Sequence, residues 1–390
     1  MNPTKNNSLY SAKRLLAVLG ISMMGVIYSG PGNAQAGDLI RAEYPELATL
    51  FNAFDVTQGA AYEKMAEIAN DPANSAIRNE LAMHFRMMST MTMSEMMSSG
   101  MGHDMSNMMS GSYGEQEVEA RVELLEMMRG EYSDEVAAEA FIESSAVNRH
   151  LAEVIRRGRS FENRLFEIYI DDSISDKQAA VQAAIDTYLE DDQHSVAIDP
   201  KDSTYLLGHP QGTGFQTSFP RLSGFLWTQQ WLQLAVLEAV ILESLDEEAS
   251  DGVDTALERF WNKIGSAGGM SMFPAPTELP MAPAIAPNLY SQSAQAAIIL
   301  DNLNVLETMV ADTLVFPNFD AKEERIDAIV ADFTNKSSNT DDPMNYLLFA
   351  LRGGIYNQGG PAVGELMQSE RNRSRAMMDM QHTMIMSSPQ

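Results

Sequence analysis

The sequence predicts an all-α protein, a helical bundle or irregular helical array with a Met-rich loop insertion and a Pro-rich linker. Three observations lead there. Apolar residues recur at helical spacing through most of the chain, and strand-like alternation is scarce. Glycine and proline gather between the periodic segments rather than inside them. Cysteine is absent, so the core alone must hold the fold.

Residues 1–36 read as a secretory signal peptide. Lys5, Lys13 and Arg14 make a basic start, LLAVLGISMMGVIY (15–28) is apolar, and Ala34-Gln35-Ala36 is a cleavage pattern. The apolar run falls short of the roughly 20 residues a membrane span needs. The expectation is a periplasmic or secreted protein with no stable membrane anchor once the signal is removed. From Gly37 onward 54 acidic residues face 23 basic ones (26 Lys+Arg less Lys5, Lys13 and Arg14), a net charge of −31. So acidic a surface repels nucleic acid and anionic membranes, and it attracts cations.

The helices follow in order. YPELATLFNAFDVTQGAAYEKMAEIAN (44–70) places Leu47, Leu50, Phe51 and Phe54 at helical spacing. Residues 115–132 form an acidic amphipathic helix. Residues 133–170 begin with an N-cap, Ser133, with Glu135 in the first turn, and a break is expected near Gly158. Residues 176–190 and 222–247 follow. The latter is the most apolar stretch after residue 36, interrupted by Gln229, Gln230, Gln233, Glu238 and Glu243, and reads as a buried central helix. Residues 267–290 hold five prolines, which argue against helix and for an extended linker or wrapping arm. Helical patterns resume over 291–315, 321–334, 343–352 and about 361–386. This divides the chain into a helical domain (37–266) with a Met-rich insertion at 83–111, a Pro-rich linker (267–290) and a C-terminal helical region (291–390) with a Met-rich tail.

A faint internal echo runs through this pattern. SDKQAAVQAAIDTYL (175–189) resembles DAKEERIDAIVADF (320–333), and DPKDSTYLL (199–207) resembles DPMNYLL (342–348). The echo fits a duplicated helical unit. It also fits the commonness of acidic turns and Asp-Pro helix starts.

The methionines carry the chemistry. Residues 83–109 hold 11 methionines in 27 positions, with His84 and His103 among them. At 100° per residue, Met83, Met87 and Met91 share a stripe. Met88, Met93, Met96 and Met97 lie off it, so the thioethers cover every face and no single core stripe explains them. From Ser98 onward, Ser and Gly set a loop around Met101, Met105, Met108 and Met109. The tail AMMDMQHTMIMSSPQ (376–390) repeats the recipe, with Met377, Met380 and Met384 on one stripe and Met378, His382 and Met386 on another. Sixteen of the 28 methionines lie in these two segments.

A thioether is a soft neutral ligand that selects Cu(I), and imidazole suits copper too. Sets such as His84 with Met87 and Met88, or Met101 with His103 and Met105, can close on one ion. Glu95 and Asp104 add charge for capturing a cation. The segments resemble, in composition and over about 40 residues, the methionine-rich segments of exported copper-handling proteins. The expectation is a Cu(I)-binding protein for copper delivery, storage or tolerance, with the metal ion as partner and a periplasmic protein as a second candidate partner. Three readings compete with it: a helical protein–protein interaction module with a Met-rich surface, sacrificial oxidation of methionine, and a periplasmic enzyme that uses the helical body.

Other histidines carry weaker signals. His150, with Glu143 and Glu153 on the same helix, lacks the second half of a dimetal carboxylate site. His194 and His209 flank a glycine-bearing loop without the pattern of a phosphate cradle. Arg156, Arg157 and Arg159 form the main basic cluster, expected to pair internally or with an acidic partner face. Trp227 and Trp231 are expected in the core. No serine elbow, His-Glu-x-x-His motif or nucleotide loop appears, so the order of residues points to no catalytic residue.

Overall fold

The computed structural model describes residues 37–90, 111–201, 214–246, 249–265, 279–316, 321–337, 346–347 and 350. Among these, all regular structure is helical, as the apolar spacing requires. The expected signal peptide, most of the first Met-rich segment, all of the second and His209 lie outside the described residues.

Four long helices build the centre. Helices α1 (Asp38–Glu43), α2 (Pro45–Asn70) and α3 (Ser75–Thr90) open the chain. Helices α4 (Gly114–Met128), α5 (Asp134–Glu139), α6 (Arg149–Ile170) and α7 (Lys177–Leu189) follow. Next come α8 (Gly214–Ser218), α9 (Pro220–Leu245) and α10 (Gly252–Gly265). The last are α11 (Ala282–Ile285), α12 (Pro287–Gln292), α13 (Ala294–Val315) and α14 (Lys322–Thr334). Helix α2 packs on α13, α9 packs on α6, and α6 touches α13. One continuous apolar core runs through all four.

Local chemistry sets their ends. Pro45 and Pro220 stand at the first position of α2 and α9, where a missing N–H costs nothing. Each holds the aromatic residue before it, Tyr44 or Phe219, out of helical conformation. Asn148 and Ser293 cap α6 and α13 by accepting from the N–H of Leu151 and Ala296. Helix α9 is long and apolar enough to cross a membrane, but 94% of its most apolar window is buried inside the structure. Trp227 and Trp231 are both buried on it, as the sequence led us to expect.

Two expectations are corrected. Ser133 caps only the short α5, and the chain leaves helix at Ala140 before restarting at Arg149. Gly158 lies inside an unbroken α6. Its lack of a Cβ serves close approach, since a Cβ there would stand 2.6 Å from Leu303 Cδ1 on α13. The second correction concerns the prolines. Helices α11 and α12 form within 282–292, because Pro283 and Pro287 each stand in a first turn, where proline is tolerated. Leu279, Met281, Ile285 and Leu289 from this stretch are buried.

The polar residues inside the apolar helices have a shared task. A helix N-terminus presents unpaired N–H groups and a partial positive charge. Glu238 of α9 accepts from the N–H groups of Asn288 and Leu289 at the start of α12. On α13, Asp301 accepts from Ala282 N–H at 2.7 Å and Asp312 from Phe215 N–H at 2.6 Å. Glu117 of α4, fully buried, accepts from Arg221 and Leu222 N–H at the head of α9. Buried carboxylates therefore fix helix starts on neighbouring elements, the short α8, α11 and α12 from the long helices and the long α9 from α4.

Candidate functional site

Helix α3 carries the beginning of the first Met-rich segment. Met83, His84, Met87 and Met88 fall on its last two turns, and Met83 is 58% exposed. A methionine so exposed gains little from packing, so it is available as a ligand or contact. Met91, Met93, Met96, Met97, Met101, His103, Met105, Met108 and Met109 lie outside the described residues. So do Met377, Met378, Met380, His382, Met384 and Met386.

The structure does assemble a polar cluster that the sequence concealed. Arg159 of α6 is buried at the meeting of the four long helices. Its Nη2 donates to Glu307 Oε1 and to Gln58 Oε1, both at 2.8 Å. Its Nε donates to Asp55 Oδ1 at 3.2 Å and its Nη1 to Glu162 Oε2 at 3.4 Å. Gln230 donates to the other Glu307 oxygen at 2.9 Å, and Gln233 to Glu162 at 3.0 Å. Every member has a partner, which is the condition for burying such a network.

One guanidinium faces three carboxylates, so charge balance fails unless protons are bound. Burial pushes both Asp55 and Glu162 up to about 7, with Arg159 opposing the rise. Burial likewise lifts Glu117 and Asp301 to about 7, against the hydrogen bonds they accept. Beside Glu307 and Gln230 lies a cavity of about 10 Å³, walled by Phe215, Leu226 and Trp227. It has room for about one water and none for an organic substrate. The cluster is thus equipped to hold protons and to pin four helices together.

Raised carboxyl pKa values make stability depend on pH. The folded protein binds more protons than the unfolded chain between about 4 and 7, so stability is highest at the acid end and is lost as pH rises through 7. The thermal midpoint at pH 5.5 is expected to exceed that at pH 8, measured by circular dichroism in matched salt. An unchanged or higher midpoint at pH 8 would mean these carboxyls are ionised at no cost.

His150 and His194 meet, which their sequence separation hid. Their ring centroids are 5.6 Å apart, edge to face. His150 Nε2 lies 3.0 Å from the Gln193 carbonyl oxygen, and His194 Nδ1 lies 3.0 Å from Asp191. Glu153 is taken up by Arg156, so the His150–Glu143–Glu153 grouping weighed from the sequence does not form a ligand set. Among the described residues no group of three or more His, Asp or Glu side chains is placed to hold a metal ion. The arginine cluster pairs internally. Arg156 bonds Glu153, Arg157 donates to the Tyr188 carbonyl, and Arg159 takes the buried carboxylates.

The sequence did contain a signal for the buried cluster. Gln230 and Gln233 interrupt an apolar helix, and a polar side chain in a fully buried helix must find a partner. What the order of residues lacked was the partner's address. Comparison with known proteins adds no candidate: no protein-family model, curated protein or solved structure matches the chain.

Proposed function

We propose that the protein binds Cu(I) through the thioethers and imidazoles of Met83–Met109 and Met377–Met386, serving copper delivery, storage or tolerance outside the cytoplasm. One observation carries the reading: sixteen of 28 methionines fall in two short segments, each of which also holds histidine. Methionine in such density selects soft cations over Mg²⁺ or Ca²⁺. Three features support it. The net charge attracts cations. The chain has no cysteine to be oxidised in copper's presence. Met83 opens the first segment from an exposed position.

The test is an anaerobic Cu(I) titration of residues 37–390 against a chromophoric chelator, beside a variant lacking 83–109 and 377–386. The intact protein is expected to withdraw several Cu(I) ions and the variant none. Equal uptake by both proteins, or none by either, overturns the proposal.

A second reading has one observation in its favour. Val118 and Val122, one turn apart on α4, are exposed, as is Met83. Exposed apolar side chains together with a Met-rich segment suit a partner protein. In that case deleting 83–109 abolishes capture of the partner and leaves Cu(I) uptake unchanged.

A further inference from the structure

We infer that the chain is a fused pair, two copies of one helical unit joined across a pseudo-twofold axis that passes between Gly158 and Leu303. The inference is independent of the copper reading. Each copy runs in the same order. A short helix (α1 or α8) leads into a 26-residue helix that starts at proline (α2 or α9). Later come a 22-residue helix (α6 or α13) and a 13-residue helix (α7 or α14). Lengths alone prove little, because helices of these sizes are common. The side chains decide.

Shifted by 145 positions, α6 and α7 overlie α13 and α14 without a gap. All twelve buried residues of α6 then fall on buried residues of α13. The buried Val181, Ile185 and Tyr188 of α7 fall on the buried Ile326, Val330 and Phe333 of α14. The first residue of each 13-residue helix is a lysine that reaches back to the last carbonyls of the preceding helix. Lys177 donates to the Ile168 and Tyr169 carbonyls, and Lys322 to the Leu314 carbonyl, where Leu314 is the counterpart of Tyr169.

The same roles recur between the 26-residue helices, which are offset by 175 positions. Glu63 accepts from Ser145 N–H in the turn ahead of α6, and its counterpart Glu238 accepts from Asn288 N–H in α12, the short helix ahead of α13. Packing across the middle is reciprocal, α2 on α13 and α9 on α6, with α7 on α13 and α14 on α6. An exchange of this kind is the mark of an isologous interface, where each patch meets its own counterpart. Gly158 and Leu303 are counterparts, and they touch. Glu162 and Glu307 are counterparts, and both bond Arg159.

The copies differ where the charges sit. Asp55 and Arg159 of the first copy correspond to the neutral Gln230 and Asn304 of the second, where Gln230 donates to the Asn304 backbone carbonyl. The first copy is also longer. Arg149 follows Asn70 by 79 positions and Ala294 follows Leu245 by 49, and the longer interval contains residues 83–109.

The test exchanges counterparts across the axis in the full chain. Gly158→Leu alone sets two leucines against each other, and Leu303→Gly alone leaves a void. Each is expected to lower the thermal midpoint by about 5 °C or more. Gly158→Leu with Leu303→Gly restores the same pair with its sides swapped and is expected to recover most of the loss. A second exchange covers the case in which that double variant does not fold. Arg159→Asn with Asn304→Arg leaves Asp55 facing no arginine, and adding Asp55→Gln and Gln230→Asp rebuilds the ion pair in the other copy. The fourfold variant is expected to melt above the twofold one. Recovery in either exchange supports the fused pair. Recovery in neither overturns it.

Discussion

Arg159→Met is expected to destabilise the fold by about 3–5 kcal/mol near neutral pH, the range for removing one partner of a buried ion pair. Methionine matches much of the arginine's volume, so the loss reports charge and hydrogen bonding more than a cavity. Asp55 and Glu307 lose a donor, as does the Gln58 side-chain oxygen. The carboxyls can respond by taking up protons, which Asp55 and Glu162 already do near 7. The loss is therefore expected to shrink at pH 5 and grow at pH 8. Urea unfolding of both proteins at the two pH values checks this. A loss below about 1 kcal/mol that does not change with pH would show that the arginine is not what holds the four helices in register.

Exchanging all sixteen methionines of 83–109 and 377–386 for leucine is expected to abolish Cu(I) uptake while leaving the fold intact. Leucine conserves volume and hydrophobicity, and Leu–Met swaps are among the best tolerated in proteins. Only the thioether's lone pairs are removed. A surface that works by apolar contact should survive this exchange, whereas a soft-metal site should not. Among the described residues the core is built from helices such as α9 and α13, and the buried methionines are Met65, Met128, Met281 and Met309, all outside the two segments. The thermal midpoint without metal should accordingly move little.

The fold class was legible because helical spacing is a local signal. The spacing of Leu47, Leu50, Phe51 and Phe54 and the apolar run of α9 each announced their helix, and Ser133 marked a helix start though not its length. Gly158 was misleading for a physical reason. A glycine in a helix reads as a weak point, while its use here is to let Leu303 approach from a helix 145 positions away. Pro283 and Pro287 misled for a related reason, since proline forbids the interior of a helix but suits its first turn. The buried cluster was half visible. Gln230 and Gln233 stood out in an apolar run, yet Arg159 looked like one member of a basic patch. Its partners Asp55 and Glu307 are 104 and 148 positions distant. The faint echo between 175–189 and 320–333 covered only one of the four helix pairs. The α6–α13 pair shares its burial pattern and a side-chain N-cap rather than residue identity, which a reading of letters does not register.

Whether the thioethers are metal ligands is decided by one titration. Residues 37–390 and the sixteen-fold Met→Leu variant compete anaerobically with the same chromophoric Cu(I) chelator, with circular dichroism confirming equal helix content. Several Cu(I) ions are expected to be withdrawn by the native sequence and almost none by the variant. Equal withdrawal by two equally folded proteins would contradict the proposal and leave the segments without a role as sulfur ligands.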